Sequence, residues 1–403
     1  MKHLYGRQAF VELMIDEGIT HLFGNPGTTE LPIMQALPDY PDLRFILGLQ
    51  EAVVVAMADG FARASHQLTA ANVHVAPGLG NAMGALYNAK FSGSPIILTA
   101  GQQEQGHGLQ EPLLYEPLPA MAAPLVKWST EITRIEDVPR VMRRAAKVAM
   151  TAPTGPVFIS LPGDVLNAQA ELDLSQASRI DARIRPSDES LSQLADMLLS
   201  ARNPVMIAGQ EIGAQDAFDL AGELAHALGM PVYQESVPYR TAFPTSHPLY
   251  MGMLTRVQSQ VRQTLEPHDV VFCVGADLLR MSVYSPTDPL PPQARVAHLS
   301  ERSWELAKNH PAQWAACAQV KETLMALLPL LRQRQSSDQT RLARERAQNS
   351  QARNWSALRL KAAATAQSQL SLRPMTPLVL CHTLSEHLPP QAIVLEEALT
   401  SSQ

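Results

Sequence analysis

In the stretch LQEAVVVAMADG, Glu51 stands between an apolar run at 45–49 and a run of small and branched apolar residues at 52–64. A carboxylate with such neighbours loses hydration, so it must be exposed, paired or used in proton chemistry. Position offers a plainer account, because an acid in a helix's first turn gains about 0.3–1 kcal/mol from the N-terminal partial charge. His74 ends the next apolar run, immediately before the turn APGLGN. Imidazole exchanges protons near neutral pH, yet a histidine at a strand end can also be purely structural. The glycines that follow run Gly78-x-Gly80-x-x-x-Gly84, one residue too long for a dinucleotide fingerprint, and no P-loop occurs. Cys273, Cys317 and Cys381 are scattered and form no C-x-x-C. They read as buried thiols in a reducing compartment, not as a metal site or a disulfide frame.

These residues need elements to position them. In the first 182 residues, strand-like runs at 19–23, 45–49, 68–75, 94–101 and 155–162 alternate with helix-like runs. Such alternation predicts a parallel sheet covered on both faces, with ligands at the carboxyl ends of its strands. At the N-terminus, Phe10, Leu13 and Met14 share one helical face and Gly18 supplies a stop. A second α/β unit spans 190–332, with strands at 203–209, 230–236, 268–277 and 294–300 and a helix ending at Gly229. Residues 333–372, rich in Gln, Arg, Ala and Ser, read as a solvated helical or extended linker. At 373–403 a helix, a Pro turn and a strand open a third unit.

The 403 residues, 46% hydrophobic and 17% charged, suit two or three soluble domains of about 150 residues each. A net charge of −6 argues against general binding to nucleic acid or anionic membrane. No run of about 18 apolar residues exists to span a bilayer, and the N-terminus lacks a signal-peptide core. The expectation is a cytoplasmic protein.

Read together, the stretches GNPGTTELP, LQEAVVVAMADG, HVAPGLGN, TAGQQ, PLVKWS and HDVV fall in this order with GPVFISLPGDV along the chain. The sequence resembles the thiamine diphosphate-dependent 2-oxo-acid decarboxylases and acetolactate synthases, most of all their benzoylformate decarboxylase branch. The resemblance runs over essentially the whole chain. It implies a pyrimidine-binding domain at 1–182, a Rossmann-like central domain at 190–332, a linker at 333–372 and the start of a truncated diphosphate-binding domain at 373–403. It implies a carbon–carbon lyase that decarboxylates a 2-oxo acid, possibly an aromatic one, through a ylid/enamine mechanism, as a homodimer or homotetramer.

Residue by residue, the resemblance makes Glu51 the group that shares a proton with the cofactor's aminopyrimidine, and His74 the group that handles protons on the substrate side. Asn25, Pro26, Gly27, Pro77, Gly78 and Asn81, with Gly24, match turns that shape the cofactor site. Thr28, where the benzoylformate branch has serine, and Leu113 and Leu114 match the substrate pocket. Ser282 stands where that branch has a second histidine, and serine cannot shuttle a proton near neutral pH as imidazole does. No Gly-Asp-Gly occurs in the sequence, so no metal ligand is assigned here. Thiamine diphosphate and Mg²⁺ are both expected to need the absent C-terminal domain, and the 403-residue chain is expected to be inactive alone. Competing readings are an acetolactate synthase-like carboligase, a non-catalytic scaffold or partner subunit, and a nucleotide-binding central domain.

Overall fold

The computed structural model describes residues 1–395. The chain divides into two units, Met1–Arg183 and Ile184–Gln403, and each is described by itself.

In unit 1 the strands are β1 (Lys2–Tyr5), β2 (His21–Gly24), β3 (Arg44–Leu47), β4 (Thr69–Val73), β5 (Ile96–Gln102), β6 (Ser129–Glu131), β7 (Val157–Pro162) and β8 (Gln169–Leu172). Its helices are α1 (Gly6–Asp16), α2 (Leu31–Ala36), α3 (Glu51–Ser65), α4 (Val75–Ser92), α5 (Leu118–Ala122), α6 (Val138–Met150) and α7 (Gly163–Asn167). Six strands form a parallel sheet in the order β3-β2-β4-β5-β7-β6, while β1 and β8 pair as an antiparallel ribbon. Both faces are covered, which is why β4 and β5 are buried at every position and read as continuous apolar runs. Leu22, Ala70, Ile97 and Ile159 pack against Phe10, Leu13 and Met14 of α1 and Met142 of α6. On the opposite face Phe23, Ala71, Leu98 and Phe158 pack against Val54, Val55 and Ala58 of α3 and Leu79, Ala82 and Leu86 of α4.

The chain leaves β2 towards β3 on one side and resumes with β4 on the other. The turns after β2 and β4 therefore flank the topological switch point, where open α/β sheets bind ligands. Helix α3 is fixed at its start and again past its middle. Gln50, its N-cap, accepts from the Val53 N–H at 3.1 Å. Further along, Asp59 accepts from Ser92 Oγ at 2.8 Å and from Ser94 Oγ, tying α3 to the end of α4.

Unit 2 contains β9 (Pro204–Ala208), β10 (Val232–Gln234), β11 (Tyr250–Met253), β12 (Val270–Val274), β13 (Arg295–Ser300) and β14 (Trp314–Cys317). Its helices are α8 (Asp188–Leu199), α9 (Gln210–Ala214), α10 (Phe218–Leu228), α11 (Gln258–Leu265), α12 (Val320–Arg334), α13 (Ser337–Gln351), α14 (Trp355–Ser368) and α15 (Pro377–His387). The sheet is again six-stranded and parallel, in the order β11-β10-β9-β12-β13-β14. One face packs on α8, α10 and α12, the other on α11.

Several details differ from the sequence reading. Residues 337–351, within the stretch read as a linker, form α13, which packs on α10: Ala343 is buried and Arg346 Nη2 donates to Leu228 O at 2.6 Å. Of the three cysteines only Cys273 is buried; Cys317, at the end of the edge strand β14, and Cys381, on α15, are exposed. The strand expected near the end of the chain falls largely outside the described residues.

Candidate functional site

At the unit 1 switch point, three segments deliver polar side chains to one place. The turn after β2 brings Asn25, Pro26 and Gly27 and then the single 3-10 turn Thr28–Glu30. The start of α3 brings Glu51. The end of β4 brings His74 as the N-cap of α4, followed by Pro77, Gly78 and Asn81 within that helix.

Glu51 is only 7% exposed. Its Oε1 accepts from Asn25 Nδ2 and its Oε2 from Asn81 Nδ2, each at 3.0 Å. Gly78 leaves room beside it, since a Cβ there would stand 3.2 Å from Oε1. One donor on each oxygen leaves each with a spare lone pair, so the carboxyl group can still take up a proton and share it with a basic ring nitrogen of a ligand. That donor set fits an aminopyrimidine ring.

The second cluster turns on a residue that the sequence reading missed. Glu30 is completely buried, and its two oxygens take four contacts. Oε1 accepts from the Gly101 N–H at 2.8 Å and from Thr29 Oγ1 at 2.7 Å. Oε2 accepts from the Gly27 N–H at 2.8 Å and meets His74 Nδ1 at 2.7 Å. The His74 side chain remains 25% exposed, so one end of the imidazole is held by a buried carboxylate while the ring stays accessible to a ligand. That is the arrangement of a proton-transfer group with an orienting partner. The fit is close: a Cβ on Gly27 would lie 2.2 Å from His74 Nδ1. Val75, next in the chain, has φ +40°, an uncommon conformation for a β-branched residue.

Thr28 is exposed beside this cluster. Leu113 and Leu114 lie in the loop that leaves the carboxyl end of β5, where Gln103 Nε2 donates to Leu113 O at 2.9 Å. Their side chains are 83% and 37% exposed, so in this chain they line an open edge. Ser282 belongs to unit 2, in an exposed loop after β12. Among the described residues no group of three or more His, Cys, Asp or Glu side chains is arranged to hold a metal ion. None of the described helices is long and apolar enough to cross a membrane.

Unit 2 has its own switch point, between β9 and β12, and the two turns there touch. Gly209 N–H donates to Val274 O at 2.9 Å and Glu211 N–H to Gly275 O at 3.1 Å. A Cβ on Gly209 would lie 2.2 Å from Gly275 O. Glu211, Glu235 and Asp277 are buried around this contact. Burial, then the Glu301 charge, pushes the Glu211 carboxyl up to about 7, against Ser300 Oγ donating at 2.6 Å. Burial, then Asp277, pushes Glu235 up to about 8. The touching backbones of the two turns leave no opening between them for the phosphates of a nucleotide.

Known proteins resemble this chain over both of its units. Residues 4–114 match the family described as thiamine pyrophosphate enzyme, N-terminal TPP binding domain. Residues 191–327 match the thiamine pyrophosphate enzyme central domain. Benzoylformate decarboxylase of Pseudomonas aeruginosa is 37% identical over 327 residues, which is 80% of this chain and 61% of that protein. The large subunit of acetolactate synthase isozyme 3 of Escherichia coli is 26% identical over 339 residues, 83% of this chain and 59% of that one. Among solved structures, a thiamine diphosphate-dependent 4-hydroxybenzoylformate decarboxylase of Rhodococcus jostii superposes with a TM-score of 0.76 at 37% identity, covering 83% of this chain and 63% of its own. The chain thus spans about three-fifths of the length of the relatives it matches. With both of its units matched, one to each domain, the chain belongs to the thiamine pyrophosphate enzymes.

Proposed function

We propose that this chain forms the pyrimidine-binding and central parts of a thiamine diphosphate-dependent decarboxylase acting on an aromatic 2-oxo acid. The observation that carries the reading is the buried Glu51 carboxylate, held by Asn25 and Asn81 at the switch point. When bound, thiamine diphosphate supplies a nucleophilic carbon and an electron sink for the loss of carbon dioxide. Glu51 holds a proton at a ring nitrogen of the aminopyrimidine, and burial keeps water from competing for it. Pro26, Gly27, Pro77 and Gly78 shape the turns around that ring. His74, oriented by Glu30, gives or takes a proton on the substrate side. Thr28 Oγ1 donates to the substrate carboxylate, and Leu113 and Leu114 present apolar surface to its aromatic ring.

In this reading Mg²⁺ would be held together with the diphosphate by residues other than the described ones, and would supply positive charge to anchor it. The protein acts in the cytoplasm, which suits three free thiols. It acts as a homodimer or homotetramer, which suits the exposed, small Ala56 and Gly60 on α3. The 37% identity to a decarboxylase against 26% to a synthase favours decarboxylation over carboligation.

The test is carbon dioxide release from benzoylformate by the full-length protein with thiamine diphosphate and Mg²⁺. Glu51→Gln is expected to lower turnover by about 10²–10⁴-fold, the usual worth of a positioned proton-transfer group. Unchanged turnover in Glu51→Gln refutes the role given to Glu51, and absence of carbon dioxide release by the unsubstituted full-length protein refutes the reading and leaves a non-catalytic scaffold. A calorimetric titration of the same ligands into the 403-residue chain reports how much of the cofactor site it holds alone.

A further inference from the structure

The turns at 25–30 and 74–81 are joined at two ends, each through a carboxylate, with a longer direct contact of 3.3 Å between Thr29 Oγ1 and His74 Nδ1 at the first. At one end Glu30 of the first turn meets His74 of the second at 2.7 Å. At the other end neither turn touches the other's side chain directly. Asn25 and Asn81 instead reach the same third residue, Glu51, and each takes a different oxygen of it. Asn25 is itself fixed, because its backbone N–H donates to Asn72 O at 3.2 Å. Asn81 is carried on a helix whose first turn is closed by the Gly78 N–H donating to His74 O at 2.8 Å.

The chemistry of these two donors is selective. A lysine or arginine in either place would also satisfy the carboxylate, but its positive charge would compete with any proton Glu51 is asked to hold. A side-chain amide donates a hydrogen bond and brings no charge. Two of them, one per oxygen and from separate elements, prevent the carboxylate from rotating about its Cγ–Cδ bond unless both bonds break. Charge-assisted hydrogen bonds of this kind are about twice as strong as neutral ones. Glu51 is thereby aimed before any ligand arrives.

We propose that Asn25 and Asn81 are positioning residues that act through Glu51, fixing the plane of its carboxylate and directing one free lone pair on each oxygen to the ligand. The catalytic part of this proposal rests on the decarboxylase reading above; the clamp itself does not.

Asn25→Asp and Asn81→Asp keep the side chain's shape but replace its N–H with a second negative charge against Glu51. They are therefore read beside Asn25→Leu and Asn81→Leu, which remove the N–H without adding charge and are expected to move the Glu51 signal as well. In the 403-residue chain carrying ¹³C at glutamate Cδ, the Glu51 signal is the one lost in Glu51→Gln. Both Asp variants are expected to displace that signal and alter its pH profile. In the ¹⁵N spectrum, Glu51→Gln is expected to move the side-chain amide signals of Asn25 and Asn81, because glutamine offers one acceptor oxygen where glutamate offered two. This second measurement stands even if an Asp variant fails to fold. Asn81→Asp in the full-length protein is expected to lose about 10²-fold in kcat for benzoylformate, the cost of a misplacement near 1 Å, with a much smaller change in KM. A Glu51 signal unmoved in both folded Leu variants, or amide signals unmoved by Glu51→Gln, overturns the clamp. No turnover of benzoylformate by the unsubstituted full-length protein, with the signals moving as expected, overturns the decarboxylase reading instead and leaves the clamp standing, whereas turnover unaffected by Glu51→Gln overturns the catalytic part of the proposal alone.

Discussion

Glu30 has no freedom. Each oxygen is used twice, by the backbone N–H groups of Gly27 and Gly101, by Thr29 Oγ1 and by His74. Glycine is required at 101 as well, since a Cβ there would lie 2.1 Å from Glu30 Oε1. Glu30→Gln keeps the volume but turns an N–H₂ group towards donors, leaving at least one buried donor without an acceptor. The expected cost is about 2–4 kcal/mol of stability, read from urea denaturation, together with loss of the fixed His74 orientation. Glu51 was legible in the sequence because it interrupts an apolar pattern, and His74 because it ends one. Glu30 was not. In TTELP it resembles any acid in a first helical turn, and its meaning depends on Gly101, 71 positions later. No local pattern carries a contact made only when β5 is laid beside β4.

At the scale of elements, long buried strands were legible and most short edge strands were not; β3 is the exception, a four-residue edge whose Phe45, Ile46 and Leu47 still read as an apolar run. β4, β5, β7, β9 and β12 bury every position and so appear as apolar runs. β6, β11 and β14 have three or four residues each, and β1 and β8 form a partly exposed ribbon. Edges of that length carry too little periodicity to stand out. Composition alone likewise hid the packing of α13, whose few apolar residues suggested solvent on all sides. Its seat is a glycine: Gly229 caps α10 at φ +56°, and a Cβ there would lie 1.9 Å from Ala343 O. Gly229→Ala meets both the left-handed backbone cost of about 1–2 kcal/mol and a collision with α13. A loss of more than about 2 kcal/mol is expected, with amide exchange in α13 accelerating more than in α8. Equal acceleration in both helices would show that α13 is not seated on this glycine.

Across the whole molecule the same parallel architecture occurs twice, and its two switch points are treated in opposite ways. In unit 1 the carboxylates at the switch point are met by neutral donors, and His74 and Asn81 stay partly open to solvent. In unit 2 the carboxylates are sealed in. Glu235 faces Asp277 and the Cys273 thiol, itself pushed up by burial and by those two acids. Glu211 faces Glu301, and the cations that reach the group are Arg302, 3.3 Å from Asp277 and 3.8 Å from Glu211, and Arg280, 3.3 Å from Asp277. Folded Glu235 and Glu211 therefore bind protons up to about pH 8 and 7, whereas the unfolded chain releases them near the ordinary carboxylate value of 4.5. Between those limits the folded state holds more protons than the unfolded one, so stability falls as pH rises. Between those limits each group contributes a downward slope approaching about 1.4 kcal/mol per pH unit; its stabilisation is present in full below pH 4.5 and is lost as pH rises to the folded values, about 7 for Glu211 and about 8 for Glu235. The midpoint of thermal unfolding of unit 2 is thus expected to drop from pH 6 to about pH 8 and to level off towards pH 9. Glu235→Gln, neutral at every pH, is expected to flatten the upper part of that fall and to raise the midpoint at pH 9. A midpoint at pH 9 equal to that at pH 6 in the unmodified chain would mean that water or a cation reaches these carboxylates, and that the second switch point is open after all.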